Sequence, residues 1–334
     1  MTSNSSDYPD LKRLINSKCL LNNQSTHYLF SMAVNLCLLV SALVVVASTE
    51  NSLVLLLDAA YLAFVFTQIA FIVHDAGHNQ IFSVHWKNEF TGIIHANLLL
   101  GFSYARWVKT HNSHHGHPNC LAVDPDTDFS VLAFTETQAR AKRGLARWIT
   151  RHQAFLFFPL LTMEAINLKV DCIRFVMRNR IRFRATELLC LAVHFVLYFG
   201  FIFYWLAPVQ AALFVIVHQM LFGLYLGMVI APNHIGMPTF EDQVNLDFVS
   251  LQVVTARNLR RHWLTDYCFG PLCCQIEHHL FPLIPVYNLR KAQALVRPFC
   301  EKRGLPYYES SPLQCYRDIV VFLHKISAPL RARS

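Results

Sequence analysis

The sequence predicts an all-α integral membrane fold, with four transmembrane helices in two hairpins and a cytoplasmic helical cap. Three observations carry that prediction. Of 334 residues, 54% are hydrophobic and 15% charged, against roughly 45–50% and 25% in an ordinary soluble domain, which excludes a disordered or fibrous chain. Four apolar runs are long enough, at about 1.5 Å per residue, to cross a hydrocarbon layer roughly 30 Å thick. All 29 Lys and Arg lie outside those runs.

Residues 1–27 form an N-terminal cytoplasmic segment. The first span, residues 28–48 (YLFSMAVNLCLLVSALVVVAS), has no charge. After a short gap containing Glu50, the second span, residues 52–73, is interrupted only by Asp58, so the pair makes a tight hairpin. The first apolar run starts late, is full length and leads straight into the second, which argues against a cleaved signal peptide. Two weaker apolar stretches, residues 90–104 and 154–161, are too short or too polar to span. They read as interfacial or half-buried helices on the cytoplasmic face. The third and fourth spans, residues 188–206 and 209–231, are separated by Ala207 and Pro208, and the proline forbids helix continuation. The membrane domain as a whole covers residues 28–285, and residues 286–334 form a C-terminal cytoplasmic segment.

Charge sets the expected orientation. Three Lys and Arg precede the first span, 14 lie between His74 and Glu187, and 12 follow Ala231, leaving none in either short turn. Because Lys and Arg near spans are retained in the cytoplasm, both termini and the long middle segment are expected there. The basic stretches at residues 140–151 and 178–184 suit anionic lipid headgroups. They speak against nucleic acid, since they flank spans and no nucleic-acid-binding motif accompanies them. Ten scattered cysteines without a CxxC pair give no disulfide framework and no zinc ribbon.

The chain also holds 17 histidines. HDAGH follows the second span and sets His74 and His78 one helical turn apart. In HNSHH, His111 and His114 share a face while His115 points about a hundred degrees away. QIEHH, residues 275–279, ends in adjacent His278 and His279. A lone pair at four-residue spacing is more often an ordinary core or surface pair than a ligand pair. Three such clusters, all on the predicted cytoplasmic side, are another matter: burying seven neutral imidazoles together without a metal or many hydrogen-bond partners is costly. Imidazole suits zinc, copper, nickel and iron. Several nitrogens at each of two centres, with few carboxylates, fit a redox-capable iron pair better than a four-coordinate zinc. The cap is therefore expected to hold a di-metal site.

HDAGH, HNSHH and QIEHH resemble, in order and in spacing relative to four spans, the three histidine boxes of the membrane fatty-acid desaturase family. The likeness runs from about Leu29 to Pro285 and includes HGHPN, DPDTD at residues 124–128, APNHIGMP after the fourth span, and LFP after the third box. It implies two iron ions held by the box histidines and by one histidine between the fourth span and the third box, which here is His234. The implied ligands are His74, His78, His111, His114, His115, His234, His278 and His279. Gln275 departs from the commonest all-histidine third box and resembles the variant of front-end, sphingolipid-type and many bacterial desaturases. A neutral amide is a poor ligand, so Gln275 is expected to hydrogen-bond a bound water instead.

The resemblance further implies that dioxygen, as cosubstrate, and two external electrons drive removal of two hydrogens from adjacent methylenes of a fatty acyl chain. The di-iron centre itself does this chemistry, with no separate acid or base residue. The acyl chain is carried on a lipid, coenzyme A or carrier protein, and no substrate-binding residue can be assigned. No HPGG haem signature occurs, so a separate electron donor such as a cytochrome b5 or a ferredoxin is expected, and the basic cytoplasmic face suits an acidic one. The membrane is the endoplasmic reticulum in a eukaryote, or the plasma or thylakoid membrane in a bacterium.

Around the boxes, Asp75 and Glu277 are placed to orient ligand rings and Asn233 to hold a metal-bound water. Asp124, Asp126 and Asp128 read as a structural turn, and His117 as structural. His85, His95, His152, His262 and His324 read as ordinary histidines. Asp58, His194 and His218, inside spans, must face the bundle, as packing contacts or as the lining of a tunnel. Two other readings use the same clusters: a fatty-acyl or sphingolipid hydroxylase of the same superfamily, and a membrane zinc hydrolase. A metal transporter would instead put its ligands within the spans.

Overall fold

Each long apolar run folds as one helix, as it must where lipid offers backbone groups no other partner. The computed structural model describes residues 7–241 and 245–331. In chain order its helices are α1 (Asp7–Ser17), α2 (Ser25–Ser48), α3 (Ser52–Gly77), α4 (His85–Ile93), α5 (Tyr104–Gly116), α6 (Glu136–Ala141), α7 (Gly144–Arg151), α8 (Gln153–Leu161), α9 (Glu164–Arg178), α10 (Arg184–Trp205), α11 (Pro208–Ile230), α12 (Phe248–Val254), α13 (Trp263–Phe269), α14 (Gln275–Leu280), α15 (Val286–Lys302) and α16 (Pro312–Ile326). A π-helical stretch, Ile94–Leu100, continues α4. Asn258–Leu259 pairs in parallel with Glu309–Ser310. The chain divides into two compact units, the first made of Met1–Asn22, Thr110–Phe158 and Val229–Ser334, the second of Asn23–Lys109 and Pro159–Met228.

The second unit contains the long helices. α2, α3, α10 and the Pro208–Asn233 segment are each long and apolar enough to cross a membrane. Asn51 caps α3 by accepting from the Leu53 and Val54 amides, and Pro208 opens α11, where its fixed φ and missing N–H cost nothing. α3 continues unbroken to Gly77, four residues beyond the expected span, because nothing in VHDA breaks a helix; His74 and Asp75 therefore sit on its last turn. Of the most apolar window in α2 and α10, 11% and 17% is buried, against 50% and 44% in α3 and the Pro208–Asn233 segment. α3 and α11 thus supply the interior, with Leu62, Phe66, Ile69, Phe214 and Phe222. Val40, Val44, Val196 and Leu197 point outward from α2 and α10, which is stable only where the surrounding solvent is apolar.

Residues 90–104 differ from the interfacial helix expected of them. α4 and the π-helix pack against α3, the π-helix also packs against α10, and Ala96, Asn97 and Leu100 are buried. The polar residues of this stretch are buried because each finds a partner. The Glu187 carboxylate accepts from the Ala105 amide at 2.9 Å, Ser103 Oγ at 2.6 Å and Asn97 Nδ2 at 3.0 Å, which caps the start of α5. At the other junction Gly101 takes a left-handed φ of +72°, and carbonyls released at the end of the π-helix need donors. His194 Nδ1 donates to Leu98 O at 2.9 Å, and Lys169 Nζ donates to Leu100 O. A Cβ on Gly101 would lie 2.4 Å from the His194 ring. The other polar span residues, Asp58 and His218, are also buried, with His218 Nδ1 2.6 Å from Tyr198 OH.

The first unit is built of short helices around α14, every residue of which is buried. α1 leans on it through Tyr8, whose hydroxyl donates to Leu280 O at 2.9 Å and whose ring stacks on Phe281. Phe240 exchanges backbone hydrogen bonds of 2.9 Å with Asn119 and Leu121, tying the chain after the second histidine cluster to the chain after His234.

Candidate metal centre

His74 and His78 lie one turn apart at the end of α3, their ring centroids 4.9 Å apart. His74 Nδ1 is 2.8 Å from Asp75 Oδ1. A carboxylate only accepts, so Nδ1 is the donor and Nε2 is left as a lone pair. Trp107 covers both rings, at 5.7 and 6.1 Å. It approaches so closely because position 77 is glycine: a Cβ there would fall 2.1 Å from the indole. Burial pushes the His78 pKa well below its ordinary value, helped by His74, and a neutral ring is the ligand form.

The first unit brings together the other six histidines. α5 carries His111, His114 and His115; His111 Nε2 faces His115 Nε2 at 3.1 Å, so the four-residue pair of this cluster is His111 with His115. α14 presents His278 and His279, and the chain leaving α11 presents His234. His115 stacks on His279 at 4.2 Å and meets His278 at 4.7 Å. His114 lies 4.6 Å from His234 and 5.1 Å from His279, centroid to centroid. One ligand nitrogen from each of His114, His234 and His279 lies within 4.8 Å of the other two.

The hydrogen bonds on the far side of these three rings decide what the near side can bind. His114 Nδ1 lies 3.0 Å from both Asp124 oxygens. His234 Nδ1 donates to Thr255 O at 3.0 Å. His279 Nδ1 donates to Gln252 Oε1 at 2.8 Å, and that amide cannot turn over, because its Nε2 is committed to His115 O at 2.9 Å. All three rings therefore hold their proton on Nδ1 and turn an Nε2 lone pair inward. His114 Nε2 and His234 Nε2 face each other at 3.3 Å, and His279 Nε2 is buried without a hydrogen-bond partner among the described residues. Facing lone pairs repel unless a cation or a proton lies between them. Imidazole donors backed by a carboxylate, a carbonyl and an amide are what a transition metal requires.

The charge states agree with this arrangement. Burial, helped by His114, pushes the His234 pKa down to about 3. Burial also holds His279 well below the ordinary range, with His115, His234 and His114 acting in the same direction. His114 is the exception: burial lowers its pKa, but the Asp126 and Asp124 carboxylates outweigh burial and raise it.

Several neighbours have different partners from those their sequence position suggests. Gln275 Nε2 lies 3.0 Å from His234 Nε2. Asn233 donates to Leu272 O and to Gln275 Oε1, while its own Oδ1 is buried without a hydrogen-bond partner among the described residues. The Glu277 carboxylate takes Asn258 Nδ2 at 2.7 Å and Tyr307 OH at 2.6 Å, which pins α14. Asp124 does make the expected turn, accepting from the Asp126 amide at 3.0 Å, but its larger part is at His114. A second support was not visible in the sequence at all. Buried Arg257 donates to Pro232 O and Ile235 O and reaches Asp318 at 3.3 Å, clamping the segment that carries His234. Asn119 completes the frame: its amide donates to Asp124 Oδ2 at 2.7 Å and its side chain to His234 O at 3.1 Å. Among the ordinary histidines, His262 caps α13 by accepting from the Leu264 amide.

Four long apolar helices together with buried, convergent imidazoles define a membrane protein with a histidine cluster suited to metal. The chain belongs to the Fatty acid desaturase family, which it matches over residues 51–311. It is 28% identical over 326 residues to an acyl-lipid (9-3)-desaturase of Physcomitrium patens, covering 91% of this chain and 59% of that protein. It is 28% identical over 282 residues to a Delta(8)-fatty-acid desaturase of Euglena gracilis, covering 81% and 67%. With a Delta(8)-fatty-acid desaturase of Helianthus annuus the identity is 30% over 274 residues, covering 77% and 59%. The chain thus spans about three fifths of the length of the moss and sunflower proteins.

Proposed function

We propose that this chain is an oxygen-dependent, di-iron desaturase that introduces a double bond into a fatty acyl chain. The observation that carries the reading is the inward convergence of the Nε2 lone pairs of His114, His234 and His279, each held by a hydrogen bond on its Nδ1. His74, His78, His111, His115 and His278 complete the proposed ligand set for two irons. When bound, iron supplies the redox chemistry with dioxygen that unactivated methylenes require and that no acid or base side chain offers.

The protein's own residues supply the rest. Asp124, Thr255 and Gln252 keep three rings in the ligand tautomer, as Asp75 does for His74. Burial of His278 and His279 keeps bulk water away. Gln275 Nε2 lies at His234 Nε2, and Asn233 Oδ1, which has no hydrogen-bond partner among the described residues, would accept from a metal-bound water. The moss relative's name, together with that of a Borago officinalis relative, specifies an acyl-lipid, which favours a lipid-borne chain over a thioester. We further propose that the spans form two hairpins, that both termini and the site are cytoplasmic, as the basic residues indicate, and that electrons come from a separate cytochrome b5 or ferredoxin.

Expression in a host of known lipid composition, followed by double-bond mapping, tests the reading. A new double bond that disappears in His114→Ala, in protein that purifies with iron, is the expected result. A hydroxylated product without a new double bond would make the chain a hydroxylase. Zinc with no dependence on oxygen or reductant would make it a hydrolase.

A further inference from the structure

In the first unit α7 is amphipathic in an unusual sense, because its apolar side faces out. Leu145 and Trp148, three residues apart on one face, are 72% and 56% exposed, while Thr150 is buried. The pattern continues on two neighbours. Phe155 of α8 is 74% exposed and touches His324 of α16 edge-on; Phe158 packs on Tyr316; and α16 itself exposes Leu313 and Val321. Phe158, Leu313, Tyr316, Arg317, Val320 and Val321 line a shallow groove on this face. Exposed apolar side chains contiguous over neighbouring helices mark an interaction site.

The charge around it identifies what covers it. Arg140, Arg143, Arg147 and Arg151 are exposed, Arg317 and Lys325 of α16 are exposed, and residues 137–163 contain no Asp or Glu. On α7 Arg147 lies on the side away from Leu145, while Arg151, three residues from Trp148, borders the apolar stripe, so aromatic and aliphatic groups form one stripe with cations at its edge. Tryptophan beside cations at the edge of an apolar stripe matches the headgroup level of a bilayer. The spans tether this unit to a membrane through the chain itself, so even a weak surface is held at high effective concentration. We propose that α7, the exposed edge of α8 and α16 form a platform that lies in the headgroup layer of an anionic leaflet, with Leu145, Trp148, Phe155, Leu313 and Val321 in the acyl region and the arginines on lipid phosphates.

The full chain, reconstituted in nanodiscs of phosphatidylcholine alone or mixed with phosphatidylserine, tests this by fluorescence. The share of emission due to Trp148 is the difference between wild type and Trp148→Phe. Lipid brominated on its acyl chains is expected to quench that share, roughly twofold more with phosphatidylserine present, and iodide to leave it untouched. Arg143→Gln combined with Arg147→Gln is expected to abolish the dependence on lipid composition while leaving the emission of the other tryptophans unchanged. Two results would overturn the proposal: iodide reaching Trp148 in both lipids while brominated lipid does not, or shielding of Trp148 only when an acidic soluble protein is added, which would assign the face to a protein partner.

Discussion

Asp124→Asn isolates one interaction behind the proposed ligands. The wild-type carboxylate serves three donors: Oδ1 takes the Asp126 amide at 3.0 Å, Oδ2 takes the Asn119 amide at 2.7 Å, and His114 Nδ1 lies 3.0 Å from both oxygens. Asparagine keeps the shape but has one acceptor and one donor, so its amide nitrogen must face either the Asn119 or the Asp126 N–H. Asn119 is buried and Asp126 is exposed, so the oxygen stays with Asn119 and His114. The donor clash then falls on Asp126, where water relieves part of it. Loss of a charge-assisted bond and one partly relieved clash together cost about 1–3 kcal/mol of fold stability. The larger effect is on metal. Weakening the group that orients a ligand ring lowers affinity about 10–100-fold, or about 1.4–2.8 kcal/mol. Competition with a chelator, followed by metal analysis of purified protein, measures it. Asp128→Asn, an exposed carboxylate of the same turn, should change neither quantity. Wild-type metal retention in a folded Asp124→Asn protein would refute the role given to Asp124.

Arg257→Lys loses the fork that holds Pro232 O, Ile235 O and Asp318 together, and should lower metal affinity about tenfold; chelator competition that leaves wild type and variant equal would remove Arg257 from the clamp. Lys169, whose pKa burial pushes from 10.5 down to about 7, makes stability depend on pH. Between those values the unfolded chain holds a proton that the folded chain lacks, so stability rises as pH is raised from about 7 toward 10.5, and the burial penalty is full below about 7. Lys169→Met should flatten that rise in thermal melts of detergent-purified protein, and a rise that survives the substitution would place its origin elsewhere.

Elements that depend on local pattern were legible, and those that depend on long-range pairing were not. The four long apolar helices follow from apolar runs broken by few polar residues, and the structure moves their ends by only a few residues, as at α3, where the helix runs on to Gly77. Residues 90–104 misled because their polarity suggests an interface. What makes them buriable is Glu187, Lys169 and His194, lying some 70 to 100 positions further along the chain. A single polar residue reads as exposed until the partner that satisfies it is known, and no periodicity reveals a partner on another helix.

The same division runs through the candidate metal centre. Ligand candidates announce themselves because a helix can offer two rings to one ion only at three- or four-residue spacing, and HDAGH and HNSHH keep that spacing. The groups that decide whether those rings can bind are spread over the chain. Asp124 is ten residues from His114, Thr255 is 21 from His234, and Gln252 is 27 from His279. Two of these act through groups a motif search would pass over, a backbone carbonyl and a neutral amide. Their common effect is on the proton: each fixes it on Nδ1, and the set of Nε2 lone pairs exists only because all three do so. Asp75 shows when such support becomes legible, for it lies next to the ring it holds, within the same turn. Glu277 shows the opposite risk. A carboxylate inside a histidine motif looks like a ring-orienting group, yet its oxygens face Asn258 and Tyr307, where it fixes the helix that carries His278 and His279 instead of either ring.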